Sequence, residues 1–196
     1  MRDLLTAAEV EPLLRGRFGR PYLFVTRCAS TQLLLPADAA EGAVAASDEQ
    51  TAGRGRLGRR WVAEPATSLL CSIVLRPTVE PARLPELSLV AGEAAAEAIA
   101  AVTGLRPVVK FPNDVLIGGR KTAGILAEAV EGRVTLGFGV NVNVPEAGLP
   151  REVTTPATSL LVETGSPVSR SKLLVALLEL LEHRYDAWVA GADPAP

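Results

Sequence analysis

The spacing of hydrophobic residues changes along the chain, and each change predicts a different element. Residues 134–144 alternate strictly between large apolar residues and small or amide residues, which predicts a strand with one buried face. Residues 170–189 repeat their apolar positions every three or four residues, which predicts an amphipathic helix. An alanine-rich helix is predicted over residues 85–102, with Gly104 as its stop.

Shorter apolar runs predict the remaining elements. Helices are expected over residues 4–15 and from Ser30 to Leu35, where Pro36 ends the second one. Strands are predicted at residues 22–25, 43–46, 68–75, 108–110, 115–117 and 121–130, and Gly118-Gly119 suits the turn between the last two. This order indicates an α/β domain of the α+β type, with a mixed, largely antiparallel sheet flanked by helices. Residues 1–190 are assigned to this domain, and residues 191–196 are expected to be a disordered tail.

Composition and charge exclude several classes of protein. The 196 residues suit one domain, and the formal net charge of −2 lacks the basic surplus of a dedicated nucleic-acid binder. The two cysteines are too few for a disulfide framework, and the single histidine argues against Ser-His-Asp chemistry and histidine-built metal sites. No leader and no apolar run of about 20 residues is evident. We therefore expect a cytoplasmic protein that binds neither DNA nor a membrane.

Amide and lysine side chains are rare, and they occur in a few segments. They are Asn113, Asn141, Asn143, Gln32, Gln50, Lys110, Lys121 and Lys172. Amides supply both donors and acceptors, and lysine is a compact charge that binds phosphate, so this clustering indicates a polar ligand site. Chance clustering in so small a sample is the alternative.

The loop over residues 50–61 carries the strongest chemical signal. Glycines at 53, 55 and 58 alternate with arginines, but the dinucleotide fingerprint that they imitate needs a helix after the loop. Because the arginines repel one another, we expect the loop to be mobile alone and to become ordered around an anion. An exposed solvated loop is the alternative, although it leaves Gln50 and Trp61 unexplained.

Two further segments offer polar groups. In residues 110–124 the predicted hairpin returns Lys121 next to the Asn113-Asp114 turn, which suits a phosphate group undergoing transfer. In residues 137–143, glycines on the polar face of the strand would let a flat ring or a phosphate approach the sheet closely. A hairpin with solvated charges and an edge strand with a polar face are the respective alternatives.

These segments together resemble the biotin protein ligases. The Gly-Arg-Gly-Arg-x-Gly-Arg loop, the Lys-x-Pro-Asn-Asp turn with its Lys-x-Ala-Gly-Ile-Leu-x-Glu strand, and the Gly-x-Asn-Val strand occur in the family's order over about residues 4–190. The resemblance implies a fold like that of the class II aminoacyl-tRNA synthetases. It also implies that ATP with Mg²⁺ converts biotin to biotinyl-5′-AMP, and that biotin then passes to a lysine of the biotin carboxyl carrier domain of acetyl-CoA carboxylase or a related carboxylase.

The resemblance also implies roles for individual residues. The catalytic residues would be Lys121 and Arg56. The biotin site would comprise Ser30, Thr31, Gln32, Gln50, Gly53, Arg54, Gly55, Arg56, Lys121 and Gly124, with Gly124 giving the biotin chain room. The ATP site would comprise Arg56, Arg59, Trp61, Asn113, Lys121 and Asn141. It leaves the metal ligands unassigned.

The chain departs from the family pattern at two positions. Gln32 stands where the family usually has Asn, and Phe111 stands where it usually has Trp. The family's carboxy-terminal β-barrel is expected to be absent, no helix-turn-helix is expected before the domain, and a homodimer remains open. A lipoate or octanoate ligase of the same fold and a non-catalytic biotin sensor are the alternatives, but the loop type favours biotin, and a sensor would be expected to lack Lys121 or Arg56.

Overall fold

A seven-stranded sheet forms the centre of the structure, a computed structural model that describes residues 3–150 and 154–194. Its strands are β1 (Tyr22–Cys28), β2 (Val44–Gln50), β3 (Ser68–Leu75), β4 (Val108–Lys110), β5 (Asp114–Ile117), β6 (Arg120–Val130) and β7 (Arg133–Asn141). The strand order is β1-β2-β3-β7-β6-β5-β4. Only β1 and β2 pair in parallel, and every other neighbouring pair is antiparallel. The predicted mixed, largely antiparallel sheet is confirmed.

Two long helices cover one face of the sheet. The helices are α1 (Ala7–Val10), α2 (Leu87–Thr103), α3 (Leu160–Thr164) and α4 (Arg170–Val189). α2 and α4 pack against each other, and both contact strands of the sheet. α2 ends as predicted, since Gly104 follows it with a left-handed φ of 73° and donates its N–H to the carbonyl of Ala100.

The short helices differ from their predictions. The helix expected over 4–15 is only α1 followed by a 3₁₀ turn at Glu11–Leu13, because Pro12 cannot donate the hydrogen bond that would continue α1. The helix expected from Ser30 is a 3₁₀ turn at Thr31–Leu33. α3 was not predicted, although a capping serine and a glycine flank it.

The alternation of β7 is confirmed by burial. Val134, Leu136, Phe138 and Val140 are buried in the core cluster, and the opposite face carries the glycines. The strand ends at Asn141 rather than at residue 144. The turn before β6 is also confirmed, since Gly118 and Gly119 have φ values of 56° and 79°.

The structure describes only part of the predicted carboxy-terminal tail. Residues 195–196 of the predicted tail lie outside the described residues, so its disorder stays a prediction. None of the helices in the described ranges has the length and apolarity needed to cross a membrane.

A buried arginine joins the two ends of the domain. Arg170, the first residue of α4, is only 1% exposed. Its guanidinium lies 3.2 Å from a carboxylate oxygen of Asp3 and 2.7 Å from one of Asp48. It also donates to the backbone carbonyls of Asp3 and Ser68. Because Asp48 lies near the end of β2, this cluster fixes where that strand meets α4.

We expect Arg170→Met to lower the free energy of unfolding by about 3 kcal/mol, because it leaves two partly buried carboxylates without their counter-charge. Arg27→Met is the matched control, since Arg27 pairs with Glu49 but is 66% exposed, and we expect a loss below about 1 kcal/mol. Urea unfolding of both variants measures the difference. Equal losses would contradict the role given to Arg170.

Candidate functional site

A cavity of about 320 Å³ opens on the glycine-bearing face of β7. It is bounded by β6 and β7, by the loop after β2, and by residues around 154–157. Every predicted site residue except Gly53 lies on its wall, namely Ser30, Thr31, Gln32, Gln50, Arg54, Gly55, Arg56, Arg59, Trp61, Asn113, Lys121, Gly124 and Asn141. The structure thus brings together residues from four separate stretches of the sequence.

Gly53 has a different position from the one expected. A Cβ atom on it would lie 2.5 Å from the carbonyl oxygen of Trp61, and the Gly53 carbonyl accepts the N–H of Trp61 at 3.0 Å. The glycine is therefore needed because two backbone segments approach each other closely. Gly53 lines an outer groove between the loop and β6 instead of the cavity wall.

The loop after β2 is folded as a small hairpin. Arg54 and Arg60 form an antiparallel bridge, and Gly55 donates its N–H to the Arg59 carbonyl at 2.8 Å. The Arg54 guanidinium also holds both carboxylate oxygens of Glu128 on β6, at 2.8 and 2.6 Å. The loop therefore has a defined conformation tied to the sheet. Its expected mobility and its ordering around an anion stay predictions.

Neutral polar groups line the buried end of the cavity. The Oε1 atom of Gln50 accepts the backbone N–H of Thr31 at 2.7 Å and the Thr31 hydroxyl at 3.1 Å. This arrangement leaves the Gln50 amide nitrogen without a protein partner within the described part of the chain. Ser30 is buried beside them. This end can therefore exchange hydrogen bonds with an uncharged polar group.

Gln32 lies across the floor of the cavity. Its Nε2 donates to the Leu126 carbonyl at 3.2 Å, and a Cβ on Gly137 would lie 3.1 Å from that nitrogen. The side chain is 9% exposed, and its Oε1 is buried with no hydrogen-bond partner among the described residues. An open acceptor in such a place costs free energy until a donor reaches it.

Trp61 covers the neighbouring part of the floor. A Cβ on Gly139 would lie 2.5 Å from the Trp61 ring, and one on Gly124 would lie 3.0 Å from it. The Nζ of Lys121 is 5.7 Å from the ring centroid, within the range of a cation–π contact. The glycines thus admit a flat ring as expected, but here the ring belongs to the protein. The room at Gly124 that was assigned to the biotin chain holds Trp61 and Lys121.

Charged groups gather towards the open side. Lys121 pairs with Asp114 at 2.7 Å. Among the described residues that line the cavity, Asp114 is the only acidic one. Lys110 does not line the cavity, because its Nζ turns to the Thr155 hydroxyl at 3.2 Å. The predicted hairpin thus brings Lys121, and not Lys110, to the cavity wall. No group of three potential metal ligands occurs in residues 3–150 and 154–194.

The asparagines hold the strands in place around the cavity. Asn113 donates to the Ile125 carbonyl at 2.9 Å, and Asn141 donates to the Thr158 carbonyl at 3.0 Å. Asn143 binds Val168 through both amide atoms and stays off the wall. The structure therefore places Asn113 and Asn141, but not Asn143, on the cavity wall.

Sequence reasoning missed several wall residues. Arg60 and Asp114 stand inside the loop over residues 50–61 and the hairpin of residues 110–124, so the motifs contained a signal for them, whereas Gly137 and Gly139 were expected from the open face of their strand. Other missed residues, among them Pro150, Thr154, Thr155 and Ala157, come from a stretch without any motif. A bridge between Lys121 and Ala157 brings that stretch to the site, and no local pattern predicts such a contact.

The chain matches known proteins along most of its length. Residues 25–144 match the model of the biotin/lipoate A/B protein ligase family. The bifunctional ligase/repressor BirA of Bacillus spizizenii is 39% identical over 80% of this chain and 50% of its own length. The biotin–[acetyl-CoA-carboxylase] ligase of Mycobacterium tuberculosis is 39% identical over 87% of this chain and 65% of its own length. The chain thus spans half to two thirds of these two curated relatives.

A solved structure supports the same relationship. The biotin protein ligase from Aquifex aeolicus, in complex with biotin and ATP, superposes with a TM-score of 0.79 at 31% identity. The match covers 87% of this chain and 72% of that one. The prediction that the chain has the fold of the biotin protein ligases is therefore confirmed.

We expect Gly139→Ala to displace the Trp61 ring, because the new methyl group would overlap it and a side chain can swing away. Acrylamide quenching of tryptophan fluorescence should rise, while Trp188 in the core contributes equally in each variant.

Gly137→Ala is the matched control for this change, since its methyl group meets Gln32 rather than Trp61. Equal quenching in the two variants would show that the ring does not depend on Gly139.

Proposed function

The chain belongs to the biotin/lipoate A/B protein ligase family, and we propose that it acts as a biotin protein ligase. It would join biotin and ATP into biotinyl-5′-AMP and then transfer the biotinyl group to a lysine of the biotin carboxyl carrier domain of acetyl-CoA carboxylase or a related carboxylase. Because ATP is an intracellular substrate, we propose that it acts in the cytoplasm.

The observation that carries this proposal is the change of polarity along the cavity. Its buried end presents Thr31 and Gln50, which are neutral, and its open side presents Lys121. Biotin has the matching polarity, with an uncharged ureido head and an anionic carboxylate. Lipoate has an apolar dithiolane in place of the ureido group, so it would leave the buried polar atoms unpaired.

The first step joins two anions, so it depends on positioning and on fixed positive charge. A carboxylate oxygen of biotin attacks the α-phosphorus of ATP, and the bond to the departing pyrophosphate breaks. Lys121 and Arg56 lie on the wall where these groups would meet. Their charge opposes the repulsion between the carboxylate and the phosphates.

The second step consumes the mixed anhydride. The amine of an acceptor lysine attacks the acyl carbon, an amide bond forms, the amine loses its proton, and AMP leaves. Closure of the loop over the cavity would exclude water, which otherwise hydrolyses the adenylate. The proposed lid is the hairpin that carries Arg54 and Arg56.

The residues present fit a magnesium ion that enters with ATP. Mg²⁺ usually binds one or two carboxylates together with substrate phosphates and waters, rather than a cage of protein ligands. Asp114 supplies one carboxylate on the cavity wall, and we propose that it would hold the ion. When bound, Mg²⁺ would neutralise phosphate charge.

We expect Lys121→Ala to abolish formation of biotinyl-5′-AMP while the protein stays folded, because this partly exposed lysine contributes little to core packing. Chromatography of the products from biotin and α-labelled ATP gives the readout. Lys172→Ala, at an exposed lysine of α4, should form the adenylate normally. An undiminished yield from Lys121→Ala would refute the assignment.

We expect biotin plus ATP to slow tryptic cleavage within the loop, where Arg54, Arg56 and Arg59 are potential cleavage sites. Cleavage at Arg15, which is exposed and lies outside the cavity wall, should be unchanged and serves as the internal control. Mass spectrometry of timed digests measures both rates. Identical loop cleavage with and without ligands would count against a closing lid.

A further inference from the structure

A serine behind the cavity wall has no part in the steps above. Ser72 on β3 is fully buried, does not line the cavity, and has its Oγ 2.8 Å from the Thr31 Oγ1. We propose that Ser72 is a positioning residue for biotin. It donates a hydrogen bond to Thr31 and thereby holds the Thr31 hydroxyl in the position from which it would meet the ureido head. This inference rests on the proposed biotin ligase function.

The orientation of the Gln50 amide follows from its partner. The backbone nitrogen of Thr31 is 2.7 Å from the Gln50 amide atom, and a backbone N–H can only donate. The Gln50 atom at this position must therefore be its oxygen. The Gln50 Nε2 is consequently the atom left to donate to a ligand.

The direction of the hydrogen bonds that join Ser72, Thr31 and Gln50 is also determined. The Gln50 oxygen only accepts, and the Thr31 Oγ1 lies 3.1 Å from it, so the single hydroxyl proton of Thr31 points to Gln50. Thr31 then has no proton left for Ser72. Between these two hydroxyls, Ser72 must be the donor. The chain of donation runs from Ser72 to Thr31 to Gln50.

This chain gives the buried end a fixed pattern of donors and acceptors. Gln50 offers the N–H groups of its amide. The Thr31 hydroxyl donates to Gln50 and accepts from Ser72, so one lone pair of its oxygen stays free for a ligand. A ureido group presents one carbonyl acceptor and two N–H donors, which complement that pattern. Without Ser72, the Thr31 hydroxyl would keep its bond to Gln50 but lose the donor on its other side, so one side-chain hydrogen bond instead of two would hold it in place.

The strand supplies its own matched control. Ser68 lies four residues before Ser72 on β3, so both side chains point to the same face. Ser68 is also fully buried, but its Oγ has no hydrogen-bond partner among the described residues. Ser68→Ala therefore removes an equivalent hydroxyl without touching the chain of donation.

The test is calorimetric titration of biotin into each variant, together with steady-state kinetics. We expect Ser72→Ala to weaken biotin binding about five- to tenfold, the loss of roughly one neutral hydrogen bond. The KM for biotin should rise while kcat and the KM for ATP stay unchanged, because the ureido head and the reacting carboxylate are at opposite ends of biotin. Ser68→Ala should bind biotin within about twofold of the wild type.

A double-mutant cycle separates positioning from a general effect on packing. In a Thr31→Val background, Ser72→Ala should have no further effect on biotin affinity, because its route to the ligand is gone. Ser72→Cys, whose thiol is a weak donor, should give an intermediate affinity and covers the case in which the alanine variant does not fold.

Three outcomes would overturn the inference. Equal effects of Ser72→Ala and Ser68→Ala would remove the role of Ser72 and leave the proposed function standing. A Ser72→Ala effect that persists in the Thr31→Val background would show that it does not act through Thr31. A wild-type protein that binds no biotin would refute the proposed function, and the inference with it.

Discussion

The rest of the structure depends on one constraint: β7 must fill the core with one face and leave its other face free of large side chains. One face packs its large apolar side chains into the core, so the other face can stay bare at Gly137 and Gly139. Gln32 and Trp61, from distant parts of the chain, lie directly against that bare backbone. Core packing and cavity shape are therefore set by one strand. A larger residue at either glycine would displace the wall that rests on it.

The two ends of the cavity differ in polarity because a charged group keeps more of its hydration at the open side than at the buried end. A charge at the buried end would lose its hydration without gaining a counter-ion, so hydroxyls and amides are the groups that fit there. The open side carries Lys121 and the loop arginines against a single acid on the described wall, Asp114. An anionic tail and phosphates are attracted to that side. The fold thus favours a ligand whose neutral head enters first.

Much of the fold could be predicted from the sequence, because in a long segment the period of the hydrophobic residues distinguishes a helix from a strand. The bounds of β3, β4 and α4 match their predictions, and the hairpin of β5 and β6 follows from its glycine pair. Short elements were less predictable: α1 stops before Pro12, and α3 is too short to show a period. The cavity residues inside motifs were also predictable. Ser72 and Thr155 were not, because their roles depend on contacts between remote segments.

The most direct test of the central claim is ATP–pyrophosphate exchange by the unmodified protein with biotin, with lipoate, or with neither acid. A neutral polar buried end and a cationic open side predict exchange that depends on biotin and is absent with lipoate. Exchange driven by lipoate, or no exchange with either acid, would contradict the assignment of this cavity to biotin activation.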